Sequence, residues 1–171
     1  MVRLMSRTSD LARATAARVT DPELPMLTLH DLGILRDVEV VASGHVVVDI
    51  TPTYSGCPAM ATMRDDLVRE LNGAGFDQVE VRVSLEPAWT TDWITPEGRA
   101  ALSAAGISPP GPARSSSGPI PLSLSPTARL IRCPQCDSTA TELISEFGST
   151  ACKALYRCAD CLEPFDHVKE I

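Results

Sequence analysis

Thr51-Pro-Thr-Tyr-Ser-Gly-Cys57-Pro-Ala-Met-Ala-Thr-Met63 decides how the front of this chain folds, because it joins a strand pattern to a helix pattern across one turn. Upstream, His45 to Thr51 is a Val-rich run of β-formers; downstream, apolar positions recur at helical spacing from about Pro58 to Asn72. Pro52 ends the strand and Pro58 suits the first position of a helix, so Gly56-Cys57 falls where strand passes into helix. A thiol placed there meets unpaired backbone N–H groups and the positive end of the helix dipole. Both favour the thiolate, the form that binds metal and attacks electrophiles. Cys57 is therefore the leading candidate for chemistry. The alternative is a small residue packed in a tight turn, and the neighbouring Ser, Thr and Tyr hydroxyls favour a polar pocket over it.

Outward from this stretch the elements read in both directions. Ser9-Asp10 followed by Leu11, Ala12, Thr15, Ala16 and Val19 predicts a capped amphipathic helix ending near Thr20. Asp21-Pro22-Glu23-Leu24-Pro25 is a rigid turn whose carboxylates Asp21 and Glu23 either ligate metal and place a proton or serve as an Asx-type turn. His30 has no partner at ligand spacing. Ile34 to Val41 reads as a strand, and Ser43-Gly44 turns it into the next one, giving a β-hairpin that feeds the Cys57 turn. After the helix, Gly73-Ala-Gly75 is a stop, and Gln78 to Leu85 alternates valines with polar residues as a half-buried third strand. Met60 and Met63 have the spacing of any buried helix face. Trp89 and Trp93 read as the closure of a core edge, with a cover for the thiol as the other reading. Thr95-Pro96-Glu97 caps a short helix over Gly98 to Ala105.

From Ser108 to Pro126 the chain is rich in Pro, Ser and Gly, a linker composition. Beyond it lies the most specific motif of the sequence: Cys133-Pro-Gln-Cys136, then twenty-one residues, then Cys158-Ala-Asp-Cys161. Two such knuckles place four thiolates tetrahedrally around one ion, and a piece this short needs a staple of that kind. Structural zinc (Zn2+) is the favoured occupant, with iron or a cluster in the same cage as the alternative. Thr141 to Phe147, Ala154 to Tyr156 and Phe165 to Val168 supply ribbon strands. Asp137 and Leu162 stand where Gly would ease a left-handed turn, and Leu tolerates that conformation poorly, so the second knuckle is expected to differ slightly in shape. Cys152 is a fifth thiol whose default is packing, and His167 would replace a cysteine only in a failed knuckle.

Composition narrows the function. The chain has 171 residues, 44% of them apolar, and no run long enough to span a membrane. The N-terminus lacks a signal-peptide core, so a soluble cytoplasmic protein is expected, with its six cysteines serving metal or thiol chemistry rather than disulfides. The formal net charge is −7, and residues 1–108 carry 9 Lys/Arg against 15 Asp/Glu, a net of −6. With only 4% aromatic residues besides, neither phosphate neutralisation nor base stacking supports nucleic-acid binding.

Asp21-Pro-Glu-Leu-Pro25, Asp31-Leu-Gly-Ile34, Thr51-Pro-Thr-Tyr-Ser-Gly-Cys-Pro58 and the terminal CxxC pair together resemble the PaaD-type proteins of phenylacetate degradation, over nearly the whole chain. The first part resembles the domain shared with SufT and a eukaryotic cytosolic iron-sulfur targeting factor. The ribbon and the stretch Phe147 to Cys158 resemble the PaaD type itself. The expected fold class is α+β: a small α/β sandwich with a three-stranded mixed sheet and flanking helices over residues 1–107, a linker over 108–128, and a zinc ribbon over 129–171. The resemblance implies a cluster- or metal-handling group of Asp21, Glu23, Thr51, Thr53 and Cys57, with Cys57 taking up iron or a transient iron-sulfur cluster. It also implies partnership with the oxygenase complex that converts phenylacetyl-CoA to its ring epoxide, in particular with that complex's iron-sulfur reductase.

Three functions then compete. The first is a non-catalytic maturation factor, which requires no substrate pocket. The second is an accessory subunit of the oxygenase itself; against a catalytic version stand the lack of Glu-x-x-His pairs for di-iron and of GxGxxG for a flavin or nicotinamide. The third, a thiol enzyme, lacks an evident general base. An exposed sheet edge beside the hairpin would permit a homodimer.

Overall fold

The computed structural model describes residues 2–41, 44–54, 56–113 and 130–171, with only the backbone for residues 2–7. Ser43 of the expected hairpin turn and residues 114–128 of the expected linker lie outside the described residues. The chain divides into two compact units, Met1–Gly98 and Arg99–Ile171.

The first unit opens with α1, Val2–Ala16. Its start lies well before the Ser9 cap, so Ser9 and Asp10 sit inside the helix. It stops at Ala16 rather than Thr20, because Thr20 bridges Thr28 in antiparallel fashion and Pro22 disfavours helical backbone at Asp21. Strands β1 (Leu35–Val40) and β2 (Val46–Ile50) pair antiparallel, and after α2 (Met60–Gly73) strand β3 (Val79–Val83) returns parallel to β2. The result is the mixed sheet β1-β2-β3 expected from the sequence. A parallel return needs a crossover, which α2 provides. The N-terminus of α2 therefore stands at the end of the sheet where β2 finishes.

One face of the sheet is sealed by helices. Val46, Val48 and Ile50 of β2 and Met63, Leu67 and Leu71 of α2 are fully or almost fully buried, with Ala12 and Ala16 of α1. Their spacing, every second residue on the strand and every third or fourth on the helices, is what sets them on one face, though in β2 the consecutive Val46-Val47-Val48, all buried, hid the alternation. Met63 is core, as its spacing implied. After α2, Gly75 takes φ +95° and Phe76 donates its N–H to Leu71 O, the chain reversal that the two glycines predict. α3 spans Pro96–Ala104, and the Thr95 hydroxyl caps it by accepting from Gly98 N–H at 3.0 Å.

The second unit carries an antiparallel sheet β4-β5-β6 (Thr141–Ser145, Lys153–Cys158, Pro164–Val168). Ser108 opens the Pro/Ser-rich stretch yet is buried: its N–H donates to Asp166 O, and its carbonyl accepts from Val168 N–H. Its carbonyl and hydroxyl also lie 3.2 and 3.3 Å from His167 Nδ1. Composition missed this because one serine with a free strand edge beside it can pair whatever its neighbours are. Among the described residues no helix is long and apolar enough to cross a membrane.

Candidate functional site

Three loops meet at the end of the first sheet where β2 and β3 finish, bound together by backbone hydrogen bonds. Leu29 N–H donates to Val19 O, Ile34 N–H to Leu29 O and Thr51 N–H to Ile34 O, all at 2.8 to 2.9 Å; Ser84 N–H donates to Ile50 O. The loop of residues 17–34, the turn that follows Ile50 and the segment after β3 thus form one rim. The indole Nε1 of buried Trp89 locks it by donating to Leu32 O at 2.9 Å. Trp93 plays another part, lying under the Arg36 guanidinium at 3.7 Å from its ring centroid. The two tryptophans do not act as one platform. Gly33 has φ +68°, and a Cβ on it would come within 2.6 Å of Trp93 Cβ, so this loop requires glycine there.

Cys57 lies on that rim, half-buried. Its N–H donates to Tyr54 O at 3.3 Å, and its carbonyl accepts from Met60 N–H at 3.4 Å, so the thiol sits one tight turn ahead of α2. The helix begins at Met60 rather than Pro58. The N-cap, Ala59, already has helical dihedrals (φ −73°, ψ −12°) and offers no side-chain acceptor to the first turn. Thr51 is 2% exposed, and its hydroxyl Oγ1 has no hydrogen-bond partner among the described residues. Thr53 is half-buried in the bend that follows. Asp21 is buried, and its Oδ1 accepts from Glu23 N–H at 2.7 Å and Leu24 N–H at 2.8 Å. Asp21 thus builds an Asx-type turn, one of the two readings its sequence context allowed. Glu23, half-buried, contributes its backbone to that turn.

Asp31 is the residue of this region that sequence reasoning passed over. Its Oδ2 accepts from both the N–H and the hydroxyl of Thr28, its Oδ1 from the Thr95 hydroxyl, and its carbonyl from Thr95 N–H. Partial burial pushes its carboxyl up, but the Thr28 and Thr95 hydrogen bonds outweigh this and hold it below the ordinary 3.8. The signal was present in Thr28-x-x-Asp31; its second partner, sixty-four residues away, was not visible.

In the second unit the four thiols do converge. Cys133, Cys136, Cys158 and Cys161 have all their Sγ atoms within 4.8 Å of one another, with Cys133–Cys161 at 3.6 Å and Cys136–Cys158 at 3.5 Å. A tetrahedron with Zn–S bonds of ~2.3 Å has edges of roughly 3.8 Å, so the cage fits a zinc-sized ion. The Gln135 N–H points at Cys133 Sγ at 3.4 Å, as in a knuckle that orients its thiolate. Asp137 (φ 60°) and Leu162 (φ 64°) both adopt the left-handed conformation that a Gly after the second cysteine of each knuckle would ease. Leu162 does so despite its branched side chain, so the second knuckle does not show there the difference in shape that its sequence suggested. Without metal the thiols share protons unequally. Backbone N–H groups, first that of Cys161, bring Cys158 down to about 7 against the opposing effect of burial. The Ser138 backbone pulls Cys136 down but loses to its thiol neighbours and to burial, which push it up to about 12. Zinc would displace these protons and hold the knuckles together. His167 is buried beside Ser108 and Tyr156, outside the cage. Cys152 stands apart too, with its Sγ 3.0 Å from the Thr150 hydroxyl. Among the described residues no second group of three or more His, Cys, Asp or Glu ligands converges.

A mixed-sheet α+β domain followed by a four-thiol ribbon defines a class, and comparison with known proteins gives it content. The iron-sulfur cluster assembly protein family matches residues 13–85, and the PaaD zinc beta ribbon domain family matches residues 118–169. A crystal structure of a domain of unknown function (DUF59) from Bacillus anthracis superposes with a TM-score of 0.55 at 25% identity, covering 60% of this chain and 97% of that one. An "Fe-S protein maturation auxiliary factor" of Porphyromonas gingivalis is 34% identical over 80 residues, 46% of this chain and 75% of its own. A protein of Escherichia coli K12, named as a putative component of 1,2-phenylacetyl-CoA epoxidase, is 47% identical over 156 residues, 91% of this chain and 89% of its own length. The chain therefore belongs to the PaaD family.

Proposed function

We propose that this protein is a non-catalytic maturation factor for the iron-sulfur or metal centres of a phenylacetyl-CoA epoxidase complex in phenylacetate catabolism. The observation that carries the reading is the placement of Cys57: a half-buried thiol on the rim where β2 gives way to α2, inside the part of the chain that matches the iron-sulfur cluster assembly family. A single half-buried thiol on a rim suits brief custody of a cargo better than a resident cofactor. Iron or a cluster held by the Cys57 thiolate would share its remaining ligands with a donor or client and leave with the client. Asp21 shapes the rim, while Glu23, Thr51 and Thr53 give it polar character. The ribbon, built around structural zinc, recognises the complex, and the iron-sulfur reductase is the client that such a cargo implies.

The name of the Escherichia coli relative favours a second reading, an accessory component that stays with the complex. One experiment separates the two. Epoxidase components are purified from cells carrying the wild-type chain or Cys57→Ser, and their iron content, reductase cluster absorbance and reconstituted activity are measured. The maturation reading expects iron-depleted reductase from Cys57→Ser cells and full activity of preassembled components without this chain. A requirement for the chain in the reconstituted reaction would instead establish the accessory-component reading.

A further inference from the structure

The two edges of the first sheet are unlike. On β1 the register shifts between Leu35 and Asp37, and Arg13 of α1 reaches across to the Asp37 carboxylate at 3.0 Å and the Val38 carbonyl at 3.1 Å. A bulge and an occupied carbonyl are the usual ways to stop an edge from pairing. β3 has neither. Its pairing to β2 is regular from Val79 to Val83, and a groove of about 390 Å³, lined by Ala61, Arg64, Asp65 and Val68 of α2, opens beside it.

The ladder shows which groups of β3 are open. Val46 N–H donates to Gln78 O and Ser84 N–H to Ile50 O, so the even-numbered residues bond to β2. The N–H and C=O of Val79, Val81 and Val83 consequently face away from the sheet. The side chains of these three residues lie on the helix-covered face, yet Val83 is 44% exposed. On the opposite face Glu80 and Arg82 form a bidentate pair, at 2.8 and 3.2 Å. An edge protected by charge carries charges that repel its own copy. The sequence Val79-Glu-Val-Arg-Val83 does the reverse: read backwards about Val81, it exchanges Glu for Arg.

We infer that the β3 edge is a two-fold interface, onto which a second copy of this chain adds its own β3 antiparallel, in register about Val81. In that register Val81 faces Val81 of the second copy, Val79 faces Val83, and Glu80 faces Arg82. All the outward-facing residues then fall in hydrogen-bonded pairs, each exchanging two N–H···O=C bonds. The exposed Val83 is covered by the other copy's Val79. Glu80 and Arg82 meet their opposites across the axis and join the existing pairs in a four-charge cluster. Sliding the register by one pleat in either direction would set Glu80 against Glu80 or Arg82 against Arg82, so charge selects a single register.

The test is sedimentation equilibrium of the zinc-loaded full chain over about 1 to 100 µM. Both charged side chains are exposed, so exchanging them leaves each monomer's core untouched. Wild type is expected to form a concentration-dependent dimer. Glu80→Arg and Arg82→Glu each set like charges across the axis and should weaken it at least about tenfold, whereas the double exchange should recover wild-type association to within about threefold. Hydrogen exchange at the Val79, Val81 and Val83 amides should slow as wild-type concentration rises. A monomeric wild type, a dimer indifferent to both single changes, a double exchange as weak as the single ones, or concentration-independent exchange at these amides would each overturn the inference.

Discussion

Residues 2–98 and the ribbon bury their interiors with different materials. In the former, Leu67, Leu71 and Met63 of α2, Val46, Val48 and Ile50 of β2, and Leu27, Leu29 and Ile34 of the rim loop are all sealed from solvent. In the latter the buried cluster is Ile131, Phe165 and two of the thiols themselves, Cys133 and Cys158, with Tyr156 packed against it. The first region buries enough hydrocarbon for packing to hold it; the second gives half of its buried cluster to cysteines of the four-thiol cage, so its stability is expected to depend on a bound ion. Proteins that combine the two can therefore lose one half without the other.

The largest effect that can undo this contrast is metal removal. Structural zinc in small domains contributes about 10–16 kcal/mol of apparent binding free energy. Chelation, or Cys158→Ser, should abolish hydrogen-exchange protection over β4, β5 and β6 while amides of α2 and β2 stay protected. Simultaneous loss in both regions would show that the ribbon does not depend on its metal independently of the rest. The converse is Leu67→Ala, which empties a fully buried site on α2 and should cost about 2–5 kcal/mol of the first region's stability in denaturant titration, with zinc stoichiometry unchanged.

A smaller effect bears on the role of the rim. Asp31→Ala removes a carboxylate that joins Thr28 to Thr95, and about 1–2 kcal/mol should be lost from the same titration. The pH dependence follows from its lowered pKa. The folded carboxyl gives up its proton more readily than the unfolded one, so its contribution is complete above the ordinary 3.8 and vanishes as pH falls through the lowered folded value. The gap between wild type and Asp31→Ala should accordingly be constant near neutrality and close below about pH 4. The smallest effect is a gain. Leu162→Gly relieves a left-handed residue at φ 64° and should slow zinc loss to a chelator, equivalent to about 1 kcal/mol, without moving the unfolding of residues 2–98.

The amino-acid pattern alone determined the elements and the metal cage. The Val-rich run of β2, the alternating valines of β3, the apolar positions at helical spacing in α2 and the two CxxC spacings are local statements, and each holds wherever the chain is placed. At Leu162 the residue type misled: it suggested a second knuckle of slightly different shape, but the knuckle turns left-handed there as at Asp137, because the metal-binding turn requires it whatever the residue. What only the tertiary structure decided rests on partners far apart in the chain. The end of α1 was set by the Thr20–Thr28 bridge, the burial of Ser108 by the free edge of β6, and the anchoring by Asp31 by a threonine sixty-four residues later. Asp21 remained two-sided in sequence because a carboxylate that caps a turn and one that awaits a cation occupy the same motif; the hydrogen bonds from Glu23 and Leu24 gave Oδ1 its structural role. The difference between the sheet edges was hidden for the same reason. Periodicity tells which face of a strand is apolar, but whether its open backbone groups are covered depends on what the rest of the chain brings alongside.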